Sequence, residues 1–250
     1  MNSGVYSRHF SRFTFYPHPA STLTGWMRFF LWPPGYNGQV IKAIIFDIDG
    51  VLIDSAEANA QFFHELLTHF GYQPTPEPDH QKHNHLPMWD RIALMTGSDD
   101  PKVIQPIWEY GRDRADYPLH LVKPPKQLAE TLKELKRTYA LGVVTGRIRE
   151  GLDEFFKLTK SRSYFGAMVT YEDTTKRKPY PEPLLKAAES LGVRPAECIY
   201  VGDADTDVQA ANAASMASVL VAQHDNPDAD KVIRHWDDLP AAIDELVKDD

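Results

Sequence analysis

The chain of 250 residues contains one cysteine, Cys198. An internal disulfide is therefore excluded, and the composition suits a reducing, cytoplasmic setting. Cys198 leads into the apolar run Ile199–Val201, so it reads as a buried core thiol rather than a nucleophile. Excess positive charge is also missing, with 27 Lys and Arg against 35 Asp and Glu. That balance argues against a nucleic-acid partner, which needs a basic face. Residues 1–39 lack Lys, Asp and Glu altogether, carry only Arg8, Arg12 and Arg28 as charges, and hold ten aromatics. The longest uncharged run of this segment, Phe13–Met27, is 15 residues long and is broken by Pro17 and Pro19. It is too short and too interrupted to span a membrane, and it lacks the apolar core and cleavage site of a secretory signal. We expect residues 1–39 to be an N-terminal extension with little stable fold. Two readings stay open: an organellar transit peptide, or an upstream extension of a protein that starts at Val40.

What is present begins at Val40. "VIKAIIF" is a strand, followed further on by the strands "LGVVTG", "YFGAMVT", "CIYVGD" and "ASVLVA". Between them lie helical patterns. "PPKQLAETLKELKRTY" places Leu128, Leu132 and Leu135 on one face, and "REGLDEFFKLT", "PEPLLKAAESLGV", "TDVQAANAA" and "LPAAIDELV" follow. Alternation of this kind predicts an α/β fold, a doubly wound parallel sheet with helices on both faces. Residues 55–121 break it with helical patterns only, among them "AEANAQFFHELLTHFGY", "LPMWDRIALMTG" and "DDPKVIQPIWEYGRDRADY". We read them as an inserted all-helical cap domain between the two parts of a core domain, 40–54 and 122–250. The expected hinges are Ile53–Ser55 and Val122–Pro125.

In a parallel sheet of this type, ligands bind outside the carboxyl ends of the strands. The residues just past those ends are Asp47 and Asp49, then Thr145, Gly146 and Arg147, then Asp203, Asp205 and Asp207; Lys178 lies between a strand and a helix. Crowded carboxylates repel, and a hard oxygen-seeking cation such as Mg²⁺ offsets that repulsion. A phosphoryl group completes the charge pattern, because a metal ion, a lysine and backbone amides all favour it.

The ordered motifs "DIDGVL", "VVTG", "KPYPEP" and "GDADTD" resemble the four motifs of haloacid dehalogenase-superfamily hydrolases, in a match spanning about residues 40–222. The stretch from Lys178 to Ala214 is similar to the branch with phosphoglycolate phosphatases and β-phosphoglucomutases. The resemblance implies a Rossmann-like core and a Mg²⁺-dependent phosphatase acting on a small phosphorylated metabolite. It implies that Asp47 is the nucleophile of a phosphoaspartyl intermediate and Asp49 the general acid and base. Thr145, Gly146 and Lys178 would bind phosphate, and Asp47, Asp49 (through its carbonyl), Asp203 and Asp207 would form the metal site. Asp205 is not assigned, since the family tolerates many residues there. Gly146 and Ser215 depart from the branch, in whose phosphoglycolate phosphatases Asn frequently follows the Thr or Ser and in which Gly often stands at the second position.

Plainer readings weigh on single residues. Asp203 or Thr145 alone would more often be a helix cap. His80, His83 and His85 sit among prolines and polar residues and read as a solvated loop. Trp89 and Trp108 read as cap core rather than ligand-stacking residues, and Arg147 is evenly balanced between substrate contact and a charge-pattern role. The rival functions are a β-phosphoglucomutase-like phosphomutase, a pyrophosphatase and, more remotely, a phospho-acceptor signalling module.

Overall fold

The computed structural model describes residues 40–73, 83 and 86–248. The expectations for residues 1–39, and for His80 and His85, lie outside the described residues.

Six strands form one sheet: β1 (Ala43–Phe46), β2 (Ala140–Val144), β3 (Ala167–Val169), β4 (Cys198–Gly202), β5 (Ala217–Val221) and β6 (Lys231–Ile233). Their order is β3-β2-β1-β4-β5-β6, and every neighbouring pair is parallel. Five of these strands are the five read from sequence. β6 was not anticipated; three residues, two of them half-buried, are too short to show a period.

Alternation along the strands divides the core. Ile44, Phe46, Leu141, Val143, Ile199 and Val201 face one side. There they meet α4 (Leu128–Leu135), α5 (Arg149–Thr159) and α8 (Leu239–Lys248). Ala43, Ile45, Cys198 and Tyr200 face the other side, against α6 (Glu182–Leu191) and α7 (Asp205–Ala214). A strand covered on both faces must be apolar throughout, which is why "AIIF" shows no polar alternation. Cys198 is fully buried, donates to the Arg194 carbonyl at 3.4 Å, and has its thiol pushed up to about 12 by burial.

The chain between β1 and β2 also holds α1 (Ala56–His69), α2 (Met88–Thr96) and α3 (Pro101–Asp113). These three helices share an apolar cluster of their own: Phe62, Phe63, Leu66, Leu67, Ile92, Ile104 and Ile107. The helical pattern read through Tyr117 stops at Asp113, so Tyr117 lies on the returning segment. The outgoing and returning segments meet where the hinges were expected. The Asp54 amide donates to the Lys123 carbonyl at 2.8 Å, and the Lys123 amide donates back at 2.9 Å.

Ser215 terminates α7 in the left-handed region, with φ of 59°. A side chain there costs about 1 kcal/mol that glycine avoids. Ser215→Gly is expected to raise the melting temperature by roughly 2–4 °C, measured by calorimetry. An unchanged or lower value would contradict this backbone assignment.

Candidate active site

β1 and β4 flank the point where the strand order reverses, the usual ligand crevice of such sheets. Asp47 follows β1 directly and Asp203 follows β4. The Asp47 amide continues the ladder by donating to the Val201 carbonyl at 2.9 Å. Its side chain is thereby delivered, buried, to the C-terminal edge.

Ligand atoms of Asp47, Asp203 and Asp207 all lie within 4.8 Å of one another. Lys178 Nζ binds Asp47 Oδ2 at 2.9 Å and Asp207 Oδ1 at 2.6 Å. It also donates to the Tyr200 hydroxyl at 3.1 Å. Asp207 sits in the first turn of α7, where Oδ2 accepts from the amides of Asp203 and Ala204, both at 3.1 Å. One lysine therefore faces three carboxylates. Burial first, then Asp207 and Asp49, lift the Asp47 carboxyl to about 7 against the pull of Lys178. Burial and the Asp207 and Asp47 charges likewise lift Asp203 well above its ordinary value. Burial alone would lower Lys178, but Asp207 and Asp47 outweigh it and hold the ammonium charged.

The donor set fits Mg²⁺. All the clustered ligands are carboxylate oxygens, and Asp203 Oδ1 is buried with no hydrogen-bond partner among the described residues. A hard dication between these groups would satisfy that oxygen and offset the repulsion.

Gly50 closes this arrangement. Its φ is 76°, and a Cβ built on it would lie 2.0 Å from Asp203 Oδ2. Only a bare backbone can turn the chain so near that carboxylate. Gly50→Ala combines the left-handed penalty, about 1–2 kcal/mol, with displacement of Asp203. A lower melting temperature and weaker binding of Mg²⁺, read by calorimetry, are expected. Normal values of both would refute the close approach.

Asp49 is held differently. Arg147 grips it from two nitrogens, Nε to Oδ2 at 2.8 Å and Nη2 to Oδ1 at 2.7 Å. The Ser55 hydroxyl also donates to Asp49 Oδ1. Ser55 stands at the N-cap position of α1 but makes no cap bond with its side chain. Burial pushes Asp49 up, but the Arg147 charge and the hydrogen bonds from Arg147 and Ser55 together hold it below the usual carboxylate range. The network continues into the insertion: Arg147 Nη2 donates to the Tyr117 hydroxyl at 3.1 Å, which donates to Asn59 Oδ1 at 2.8 Å. Asn59 Nδ2 returns to Ser55 at 3.3 Å, closing a ring of hydrogen bonds.

Thr145 is buried, and its hydroxyl accepts the Arg147 amide at 3.1 Å. Thr145, Gly146 and Lys178 line one small recess beside Pro87 of the insertion. Asp205 stands apart, with His224 and Asn226 on its Oδ1 at 3.0 and 2.7 Å. Sequence reading missed Tyr200, Tyr117 and Asn59. A hydroxyl-bearing residue inside the otherwise apolar "CIYVG" was a signal for Tyr200. Asn59 and Tyr117, 58 residues apart, gave none.

The sheet order, the strand-end aspartates and the lysine between them define a doubly wound α/β protein with an acidic, metal-suited site at the point where the strand order reverses. The sequence matches the haloacid dehalogenase-like hydrolase family over residues 44–221, and the chain belongs to that family. It is 34% identical over 172 residues to pyrophosphatase PpaX of Bacillus cereus, covering 67% of this chain and 77% of that protein. Among solved structures it is similar to a subfamily IA hydrolase from Geobacter sulfurreducens, with TM-score 0.64, 28% identity, and 81% and 100% of the two chains covered. β-Phosphoglucomutase from Clostridium difficile shares the fold at TM-score 0.73 and 21% identity, over 84% of this chain and 98% of the other.

Proposed function

We propose that this hydrolase is a Mg²⁺-dependent phosphatase of small phosphorylated metabolites that works through a phosphoaspartyl intermediate. The observation that carries the reading is the Asp47 carboxylate, fixed by Lys178 within 4.8 Å of Asp203 and Asp207 ligand atoms.

An Asp47 oxygen attacks phosphorus as the ester oxygen departs. Asp49 delivers a proton to that oxygen, which leaves as an alcohol. Asp49 then takes a proton from water, the water oxygen bonds to phosphorus, and the acyl-phosphate bond to Asp47 breaks, releasing inorganic phosphate. Lys178 keeps Asp47 aligned, and Thr145 with the Gly146 amide receives phosphoryl oxygens. Asp47, Asp203 and Asp207, with the Asp49 carbonyl, would hold Mg²⁺, which would supply charge neutralisation of the phosphoryl group. The acid role requires a proton on Asp49, so Arg147 must loosen its hold during turnover. The helical insertion acts as a cap that closes over substrate, hinged at the Asp54–Lys123 pairing.

The test is a brief acid quench of enzyme, Mg²⁺ and ³²P-labelled phosphate ester. Label is expected on the peptide carrying Asp47, and inorganic phosphate is expected as the accumulating product. Sustained hexose-phosphate interconversion without phosphate release would instead support the phosphomutase, and a long-lived phosphoprotein without turnover the signalling module.

A further inference from the structure

Beside Asp47 and Asp49 lies a cavity of about 170 Å³, whose walls come from the helical insertion and from the segments after β2 and β3. Its lining includes Phe62, Phe63, Met88, Trp108, Tyr117 and Tyr171. Trp108 was expected to be cap core alone; it packs against the insertion's cluster and also forms a wall of this cavity. Gly151 of α5 adds room, since a Cβ there would meet nothing nearer than Arg147 Cβ at 3.4 Å.

The lining sets five aromatic rings among seven charged side chains, and each of its arginines already faces an acid or a ring. Arg147 is bound by Asp49 at 2.7 Å and Arg112 by Asp113 at 2.6 Å. Arg91 stacks on the Phe63 ring at 4.2 Å and has a further partner. Glu150 and Glu154 add negative charge to the same walls. An anionic leaving group, such as a carboxylate or a second phosphate, would meet two glutamates and would compete with Asp49 for Arg147 and with Asp113 for Arg112. A planar apolar ring would instead exchange water for aromatic faces, the commonest way such pockets gain affinity. Cavities of roughly 150 Å³ with apolar walls accept a benzene ring, so the size fits as well.

The geometry points to a substrate class: phosphate monoesters whose alcohol carries an uncharged, planar, ring-sized body next to the ester carbon. This inference rests on the phosphatase reading above for its chemistry, and on the cavity walls for its selectivity. Trp108 is then a specificity-determining residue.

The experiment compares kcat/KM of the Mg²⁺-loaded enzyme for benzyl phosphate, ethyl phosphate, phosphoglycolate and pyrophosphate. Benzyl and ethyl phosphate both release alkyl alcohols, so their ratio reports the cavity. The expected ratio is about tenfold or more in favour of benzyl. Trp108→Ala should collapse that ratio to roughly threefold or less, chiefly through KM. Preference for phosphoglycolate or pyrophosphate over benzyl phosphate, or a ratio unmoved by Trp108→Ala, would overturn the inference. Binding of benzylphosphonate against ethylphosphonate, measured by calorimetry, needs no turnover. If no ester is hydrolysed yet benzylphosphonate binds about tenfold tighter, the phosphatase reading falls and the ligand class stands. If the esters are hydrolysed without preference and the two phosphonates bind alike, the ligand class falls and the phosphatase reading stands.

Discussion

Asp47→Asn is expected to abolish phosphate release while the protein stays folded. The amide is nearly isosteric with the carboxylate but cannot form the acyl phosphate, so the drop should be on the order of 10⁴-fold or more. The fold should tolerate the change because Asp47 brings a charge into a place that resists it. Burial, Asp207 and Asp49 together raise its carboxyl to about 7 despite Lys178. A folded-state carboxyl raised above its unfolded value binds protons more readily in the folded chain. Its contribution to stability is therefore fully present below about pH 4 and is lost as pH climbs toward 7. The neutral amide has no such titration. In chelator, the melting temperature of Asp47→Asn relative to the parent should accordingly improve between pH 4 and 7. Turnover within tenfold of the parent would remove Asp47 from the chemistry; a fall in relative stability over that pH interval would show its charge to be well accommodated.

The parts of this molecule that were legible in its sequence are those governed by short-range period and position. "AIIF" has only one way to be buried on both faces, and Asp47 must then emerge at its end. The same logic places Thr145 after β2 and Asp203 after β4, so a parallel sheet brings them to one edge without any knowledge of contacts. The near contact of Gly50 with Asp203 was not legible, because it depends on how two strand ends approach in space. Arg147 shows the limit most clearly. Its place two residues after Thr145 put it near the site, yet its grip on Asp49 spans 98 residues of sequence. Tyr117 and Asn59, which extend that grip into the insertion, follow no pattern of their own. Aromatic residues of the insertion posed a related ambiguity. A helix face that packs a cluster and a face that lines a cavity have the same 3.6-residue period, and only the facing geometry separates Trp108 from an ordinary core residue.

Lys178→Met should give the largest loss of stability among single changes at the site. The ammonium is the shared partner of Asp47 and Asp207, at 2.9 and 2.6 Å, and both carboxylates are buried. Methionine fills a similar volume but leaves these acids facing each other and Asp203. Removing one member of a buried ion cluster costs about 3–5 kcal/mol, because the remaining charge is uncompensated. For a domain of this size that corresponds to a melting temperature lower by roughly 10 °C. Phosphate release should fall by at least about 10²–10³-fold, the usual loss when a fixed positive donor at a phosphoryl or oxyanion site is removed. Low stability alone would not separate lost packing from lost charge. A double variant does: combining Lys178→Met with Asp47→Asn removes one of the two stranded carboxylates. If charge is the cause, the double variant is more stable than the sum of the single effects by about 1–3 kcal/mol. Added Mg²⁺ should likewise narrow the gap between Lys178→Met and its parent, since a dication at the carboxylates supplies the charge the lysine gave. Strict additivity, with a gap indifferent to Mg²⁺, would mean that Lys178 holds this edge of the sheet by packing and that electrostatic balance among the aspartates is not what it contributes.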